Sequence, residues 1–198
     1  DYPFGTVCHR GANTIAPENT LPAFECALAG GFTHIEMDLH ITTDGAIVVI
    51  HDDRLDRTTD GNGPVTERSL RELRALDAGS WFHPHFTGTQ IPTLLAVFVL
   101  MERYNGRAYL EFKTAPPAPV LQLVQRANLL DRVFFWSFTR DFLVELRKLS
   151  VEAQIMARRM DYPTLEETMT DFDANIIEFR PGDDPLEIAA LRGSGLQS

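Results

Sequence analysis

The chain has 198 residues, 44% of them hydrophobic and 23% charged, an ordinary globular composition long enough for one sizeable core. Its net charge is -10 and it has no basic run, which argues against binding a nucleic-acid backbone or an anionic membrane surface. No apolar run reaches the ~20 residues of a membrane-spanning helix. No leader-like segment opens the chain, so this reading favours a cytoplasmic location over a periplasmic or secreted one. Cys8 and Cys26 read as buried small hydrophobes.

Residues 6–9 read as a buried strand running into His9-Arg10-Gly11. Asn19 or Thr20 is placed to cap the next helix, with Pro22 in its first turn and Gly30-Gly31 as its stop. Residues 33–41 then alternate strictly. Ile35, Met37, Leu39 and Ile41 share one face; Glu36, Asp38 and His40 share the other. Asp44-Gly45 is a strong hairpin signal. A two-residue loop there sets Leu39 opposite Ile50 and Asp38 opposite His51, and so predicts a tight cluster of Glu36, Asp38 and His51. His40, nearer the hairpin tip, is expected in solvent.

Residues 52–90 form a polar and aromatic insertion within a single domain spanning 1–198. Ser69 and Glu72 make a capping box for a short helix inside it. Trp81, Phe82 and Phe86 are expected to form the insertion's own small core, with His83 and His85 on its surface. Residues 93–104 read as a helix ended by Asn105-Gly106. Strands at 107–113, 133–137, 153–157 and 175–180 then alternate with helices at 119–130, 138–149, 164–172 and 186–192. Thr164 and Glu167 supply a second capping box. Alternating strands and helices mean a parallel sheet with helical crossovers. The count is six parallel strands, with 46–51 as the return arm of the hairpin.

Polar residues gather at the strand ends: His9, then Glu36 and Asp38, then Glu111 and Lys113. In a parallel barrel that edge builds the ligand site. Glu178 shares the position but reads as structural.

The motifs His9-Arg10-Gly11, Pro17-Glu18-Asn19-Thr20, Glu36-Met37-Asp38, Asp44-Gly45, His51-Asp52 and Leu55-Asp56-Arg57-Thr58-Thr59 follow in order. Ile91-Pro92-Thr93-Leu94 and Leu110-Glu111-Phe112-Lys113 continue them. Together they resemble the glycerophosphodiester phosphodiesterase family. The resemblance implies an α/β fold, a TIM (β/α)8-type barrel with a small insertion after the second strand. Members usually continue for two further strands, so the last two barrel strands are expected to be absent from this chain.

The implied reaction is metal-dependent hydrolysis of a glycerophosphodiester to glycerol 3-phosphate and an alcohol, within lipid and glycerol metabolism. Carried over, His9 and His51 are the general acid/base pair, and Glu36, Asp38 and Glu111 hold one divalent cation. Arg10 and Lys113 hold the phosphate, and Glu18 orients the first loop. Three carboxylates without a cysteine favour magnesium or calcium, with manganese also admitted, over zinc. The expected partner is a small diester such as glycerophosphocholine or glycerophosphoethanolamine. Nucleic acid and stable membrane insertion are not expected, and a homo-oligomer is compatible. Two other readings stand beside this one. One is a lysophospholipase D or sphingomyelinase D-like enzyme whose aromatic insertion admits an acyl chain. The other is a catalytically silent phosphodiester-binding module.

Overall fold

A computed structural model describes residues 6–192. Strand β2 (His34–Ile41) anchors it. On one side β2 pairs in parallel with β1 (Val7–Cys8), Val7 opposite His34 and Cys8 opposite Ile35. On the other it pairs with β4 (Arg107–Phe112) from His34–Arg107 to Leu39–Phe112. Strands β5 (Val133–Trp136), β6 (Gln154–Arg158) and β7 (Ile176–Glu178) continue the parallel sheet in the order β1-β2-β4-β5-β6-β7. Helices fill the crossovers: α1 (Leu21–Ala29), α3 (Leu94–Tyr104), α4 (Pro117–Arg126), α5 (Arg140–Leu149) and α6 (Leu165–Thr170). A short α2 (Leu70–Leu73) precedes α3, and α7 (Pro185–Arg192) follows β7. This curled parallel sheet backed by helices is part of an α/β barrel.

The alternation along β2 divides core from site. Ile35, Met37 and Leu39 pack with Ala108, Leu110 and Phe135 against Phe24 of α1 and Phe98 of α3. Glu36, Asp38 and His40 lie on the opposite face, as period two requires.

The hairpin differs from its expected register. Strand β3 (Ile47–Val49) pairs antiparallel with the end of β2, with Leu39 opposite Val49 and Ile41 opposite Ile47. The loop therefore holds three residues, not two. Thr42 N–H donates to the Ala46 carbonyl at 3.0 Å, and Gly45 N–H to the Thr42 carbonyl at 3.1 Å. Gly45 alone of the three loop residues takes positive φ, +79°, the arrangement of a three-residue loop. The one-residue shift puts Ile50 beside Asp38, where the Ile50 N–H reaches the Asp38 carbonyl. His51 thus does not oppose Asp38.

The segment from 52 to 90 has its own small core of Leu55, Val65, Leu73 and Ala78, packed with Val48, Ile50 and Ile91. Trp81, Phe82 and Phe86 are not in it. They pack edge to face on one another instead, Trp81 exposed and Phe82 and Phe86 half-buried. Both capping boxes form as expected, Ser69 with Glu72 and Thr164 with Glu167. Thr20 occupies the cap position of α1, but its hydroxyl donates instead to the Pro17 carbonyl. Cys26 is exposed and Cys8 half-buried, because α1 turns Cys26 outward and β1 is an edge strand. Among the described residues no helix is long and apolar enough to cross a membrane.

Candidate active site

Parallel register sets Asp38 of β2 directly beside Glu111 of β4, and Glu36 lies two residues back on the same face. Glu36, Asp38 and Glu111 each offer an oxygen, and these oxygens all lie within 4.8 Å of one another. Their exposures are 1%, 0% and 7%. Three like charges out of water are costly unless paired. Burial, and then the neighbouring Asp38 charge, pushes the Glu36 carboxyl well above the usual carboxylate range. Burial also raises Glu111, against the opposing pull of Lys113.

The partners come from three places. After β1, Arg10 at φ +58° and Gly11 at φ +79° turn the backbone so that the Arg10 N–H donates to Glu36 Oε2 at 2.7 Å. A Cβ on Gly11 would stand 2.8 Å from the Ala23 carbonyl carbon, so the turn closes onto α1 only with glycine there. Asn19, at φ +56°, donates its amide to Asp38 Oδ2 at 2.7 Å. Lys113 donates to Glu111 and lies 3.2 Å from Asp38 Oδ1, an ion pair without hydrogen-bond geometry. Burial opposes the Lys113 charge, but Glu111 and Asp38 outweigh it and raise its pKa.

Glu36 Oε1 is buried without a hydrogen-bond partner, as is Arg10 Nε, which lies 3.7 Å from Asp38 Oδ2. An all-oxygen, anionic, buried donor set with an orphaned oxygen fits a hard divalent cation.

The His9 Nε2 atom lies 3.9 Å from Glu36 Oε2, on an exposed ring. Partial burial and then the Arg10 charge lower the His9 pKa. His51 follows β3, and its Nδ1 lies 2.7 Å from Asp52 Oδ1. An ionised carboxylate only accepts, so Nδ1 carries the hydrogen and Nε2 is left free. Glu18 accepts from Arg10 Nη1 at 3.0 Å, and its two arginine partners, Arg57 first, hold its carboxyl low against the effect of burial. Beyond Glu111 the sheet offers Trp136, with exposed Phe138 edge-on to it and the Arg158 guanidinium over both rings.

His40 corrects its expectation. It is 1% exposed, not solvated, because Thr114 closes over it from the end of β4. Its Nε2 reaches the His51 carbonyl at 3.3 Å and its Nδ1 the Thr114 hydroxyl at 3.0 Å. The carbonyl can only accept, so Nε2–H donates and Thr114 donates to Nδ1. Burial lowers the pKa of this imidazole and favours that neutral form. Asn19, His40, Asp52 and Arg57 were not assigned site roles from the sequence; Glu178 is exposed at the end of β7.

Residues 9–168 match the model of the glycerophosphoryl diester phosphodiesterase family. The chain belongs to this family. A glycerophosphodiester phosphodiesterase of Bacillus subtilis is 34% identical over 194 residues, covering 83% of this chain. One from Caldanaerobacter subterraneus is 36% identical over 155 residues, covering 75%. The chain spans 65% and 64% of the lengths of these curated relatives. Among solved structures, a glycerophosphodiester phosphodiesterase from Agrobacterium tumefaciens superposes with TM-score 0.92 at 36% identity, over 97% of this chain and 84% of that one. A phosphodiesterase from Oleispira antarctica, in complex with the product sn-glycerol-3-phosphate, gives TM-score 0.86 at 28% identity, over 97% and 81%. Family membership and these superpositions agree with the barrel architecture and with a phosphodiester hydrolase lineage.

Proposed function

We propose that this chain hydrolyses glycerophosphodiesters to glycerol 3-phosphate and an alcohol, with one divalent cation held by Glu36, Asp38 and Glu111. The observation that carries this reading is the convergence of those three buried carboxylates, two of their oxygens without a hydrogen bond, between two basic side chains and beside His9. The product seen with the Oleispira antarctica relative supports the choice of diester.

A phosphodiester is an anion with a poor leaving group. The cation, when bound, neutralises charge on the phosphoryl oxygens. Arg10 presents a fork suited to two phosphate oxygens, and Lys113 a point charge. The lowered His9 pKa favours the neutral imidazole, which can take the proton of the attacking oxygen. His51 acts in its doubly protonated form, with Nδ1–H given to Asp52 and Nε2–H given to the departing alkoxide, which leaves the ring as the neutral Nδ1–H tautomer. One P–O bond forms as another breaks, and the two imidazoles exchange roles as protons return to solvent. Each such proton transfer is worth roughly 10²–10⁴ in rate. The attacking oxygen is water, or the neighbouring glycerol hydroxyl through a cyclic phosphate, and both routes end at glycerol 3-phosphate.

The test is a coupled assay for glycerol 3-phosphate released from glycerophosphocholine and glycerophosphoethanolamine, with magnesium, calcium or manganese and with chelator. Release that stops in chelator and in His9→Ala and His51→Ala supports the reading. Full release in chelator refutes the metal role, and no release with any cation refutes the hydrolase.

A further inference from the structure

We infer that Arg57 is a positioning residue that braces the two histidine-bearing loops against one another. The inference rests on the proposed hydrolysis for its kinetic readout.

Arg57 comes from the segment after β3, outside the sheet. Its Nε donates to Asp52 Oδ2 at 2.7 Å and its Nη2 to Asp52 Oδ1 at 2.9 Å. The same Nη2 donates to Glu18 Oε1 at 2.7 Å, and Nη1 to Glu18 Oε2 at 3.0 Å. Each end of this double fork leads to a group placed at the reaction. Asp52 receives His51 Nδ1 at 2.7 Å; Glu18 receives Arg10 Nη1 at 3.0 Å. A chain of five residues, His51-Asp52-Arg57-Glu18-Arg10, thus joins the loop after β3 to the loop after β1.

The chemistry requires arginine. Two carboxylates are each met by paired N–H groups of one planar guanidinium, which the point charge of lysine cannot do. Mutual support raises the Arg57 pKa, Glu18 contributing most and Asp52 next, and the Asp52 carboxyl is held well below the usual range by Arg57 first and His51 after it. Removing the guanidinium leaves the two carboxylates facing each other across the gap between the loops. The base of the brace is firm: Leu55 is buried in the insertion's core, and the Thr59 N–H and hydroxyl both bond the Leu55 carbonyl. The tip is open, since the Arg57 side chain is 43% exposed, so shortening it opens no core cavity.

The Asp52 carboxylate selects one tautomer of His51, and Arg57 holds that carboxylate in place. Arg57 touches no reacting atom, so its loss acts at one remove, on the proton-transfer geometry through Asp52 and on the phosphate fork of Arg10 through Glu18. A misplacement of about 1 Å can cost on the order of 10²-fold in rate.

The experiment compares wild type with Arg57→Ala and Arg57→Lys, each loaded with cation. It measures kcat and KM for glycerophosphodiester cleavage, the melting temperature, and the ¹⁵N signals of the His51 ring. The expected result is a kcat lower by roughly 10- to 100-fold in both variants, with a smaller rise in KM from the loosened Arg10. Melting should be nearly unaltered, and millimolar guanidinium should partly restore Arg57→Ala but not speed wild type. The His51 ring should show one protonated Nδ1 in wild type and tautomer averaging in the variants. Wild-type kcat in both variants, or a kcat loss that follows melting without guanidinium rescue, overturns the brace. If the wild type cleaves no diester, the hydrolase reading fails by itself. The brace is then decided by the ring signals, and an unchanged His51 tautomer in Arg57→Ala overturns it.

Discussion

Replacing Glu36 by glutamine should make the chelated protein more stable while destroying the cation site. The Glu36 carboxylate is buried, receives one hydrogen bond from the Arg10 N–H, and leaves Oε1 unpartnered near two other carboxylates. Glutamine keeps an oxygen for the Arg10 N–H and offers an NH₂ to a neighbouring carboxylate in place of the orphaned oxygen. Removing an unpaired buried acceptor of this kind is worth about 1–3 kcal/mol. For a chain of this size each kcal/mol moves the melting temperature by about 2–4 °C. The chelated Glu36→Gln protein should therefore melt roughly 2–12 °C above chelated wild type. A cation at about a hundred times its Kd stabilises the wild type by about 2.7 kcal/mol. That cation-induced shift should shrink or vanish in Glu36→Gln, along with activity. Thermal unfolding with chelator and with each cation measures both effects. A variant that melts below wild type in chelator, or keeps the full cation shift, refutes the reasoning.

Two further outcomes follow from the same contacts. His40→Leu leaves the His51 carbonyl without this donor and the Thr114 hydroxyl, which still accepts from the Ile41 N–H, without its acceptor, a loss of about 1–3 kcal/mol seen as a lower denaturant midpoint. His40→Gln, which keeps one donor and one acceptor, should recover most of the stability and of kcat; equal damage by both substitutions would contradict the tautomer drawn here. Farther away, Asp171 accepts from Arg140 Nε at 2.7 Å and from the Tyr162 hydroxyl at 2.8 Å, and Arg140 first holds its carboxyl low. A lowered folded pKa adds stability above the unfolded carboxylate range and loses it as pH falls toward the folded value. Asp171→Asn should thus cost about 0.5 kcal/mol near neutral pH, after screening, with the gap to wild type closing in acid. A gap that widens in acid contradicts the sign.

What the sequence carried well was local or periodic. The alternation through β2 separated Glu36 and Asp38 from Ile35, Met37 and Leu39, and parallel neighbours then brought Glu111 alongside. Both capping boxes and the six parallel strands were readable because each rests on short-range chemistry. The hairpin was misread by one residue because Asp-Gly serves a three-residue loop as readily as a two-residue one, and a unit slip moves His51 off Asp38. Asn19 looked like a helix cap. Its signal was instead the ease with which asparagine takes positive φ, which here aims its amide at Asp38. His40 was placed in solvent because nothing in its neighbourhood foretells Thr114, 74 residues on. The bonds from Arg57 to Glu18, 39 residues back, are likewise invisible to spacing.

The account stands on a cation gripped by Glu36, Asp38 and Glu111, and a crystal soaked in manganese and recorded for its anomalous signal tests that most directly. The predicted result is one strong peak at bonding distance, about 2.0–2.4 Å, from an oxygen of each of the three side chains. A peak elsewhere, or no peak in crystals of an enzyme that cleaves its diester in chelator, would contradict it.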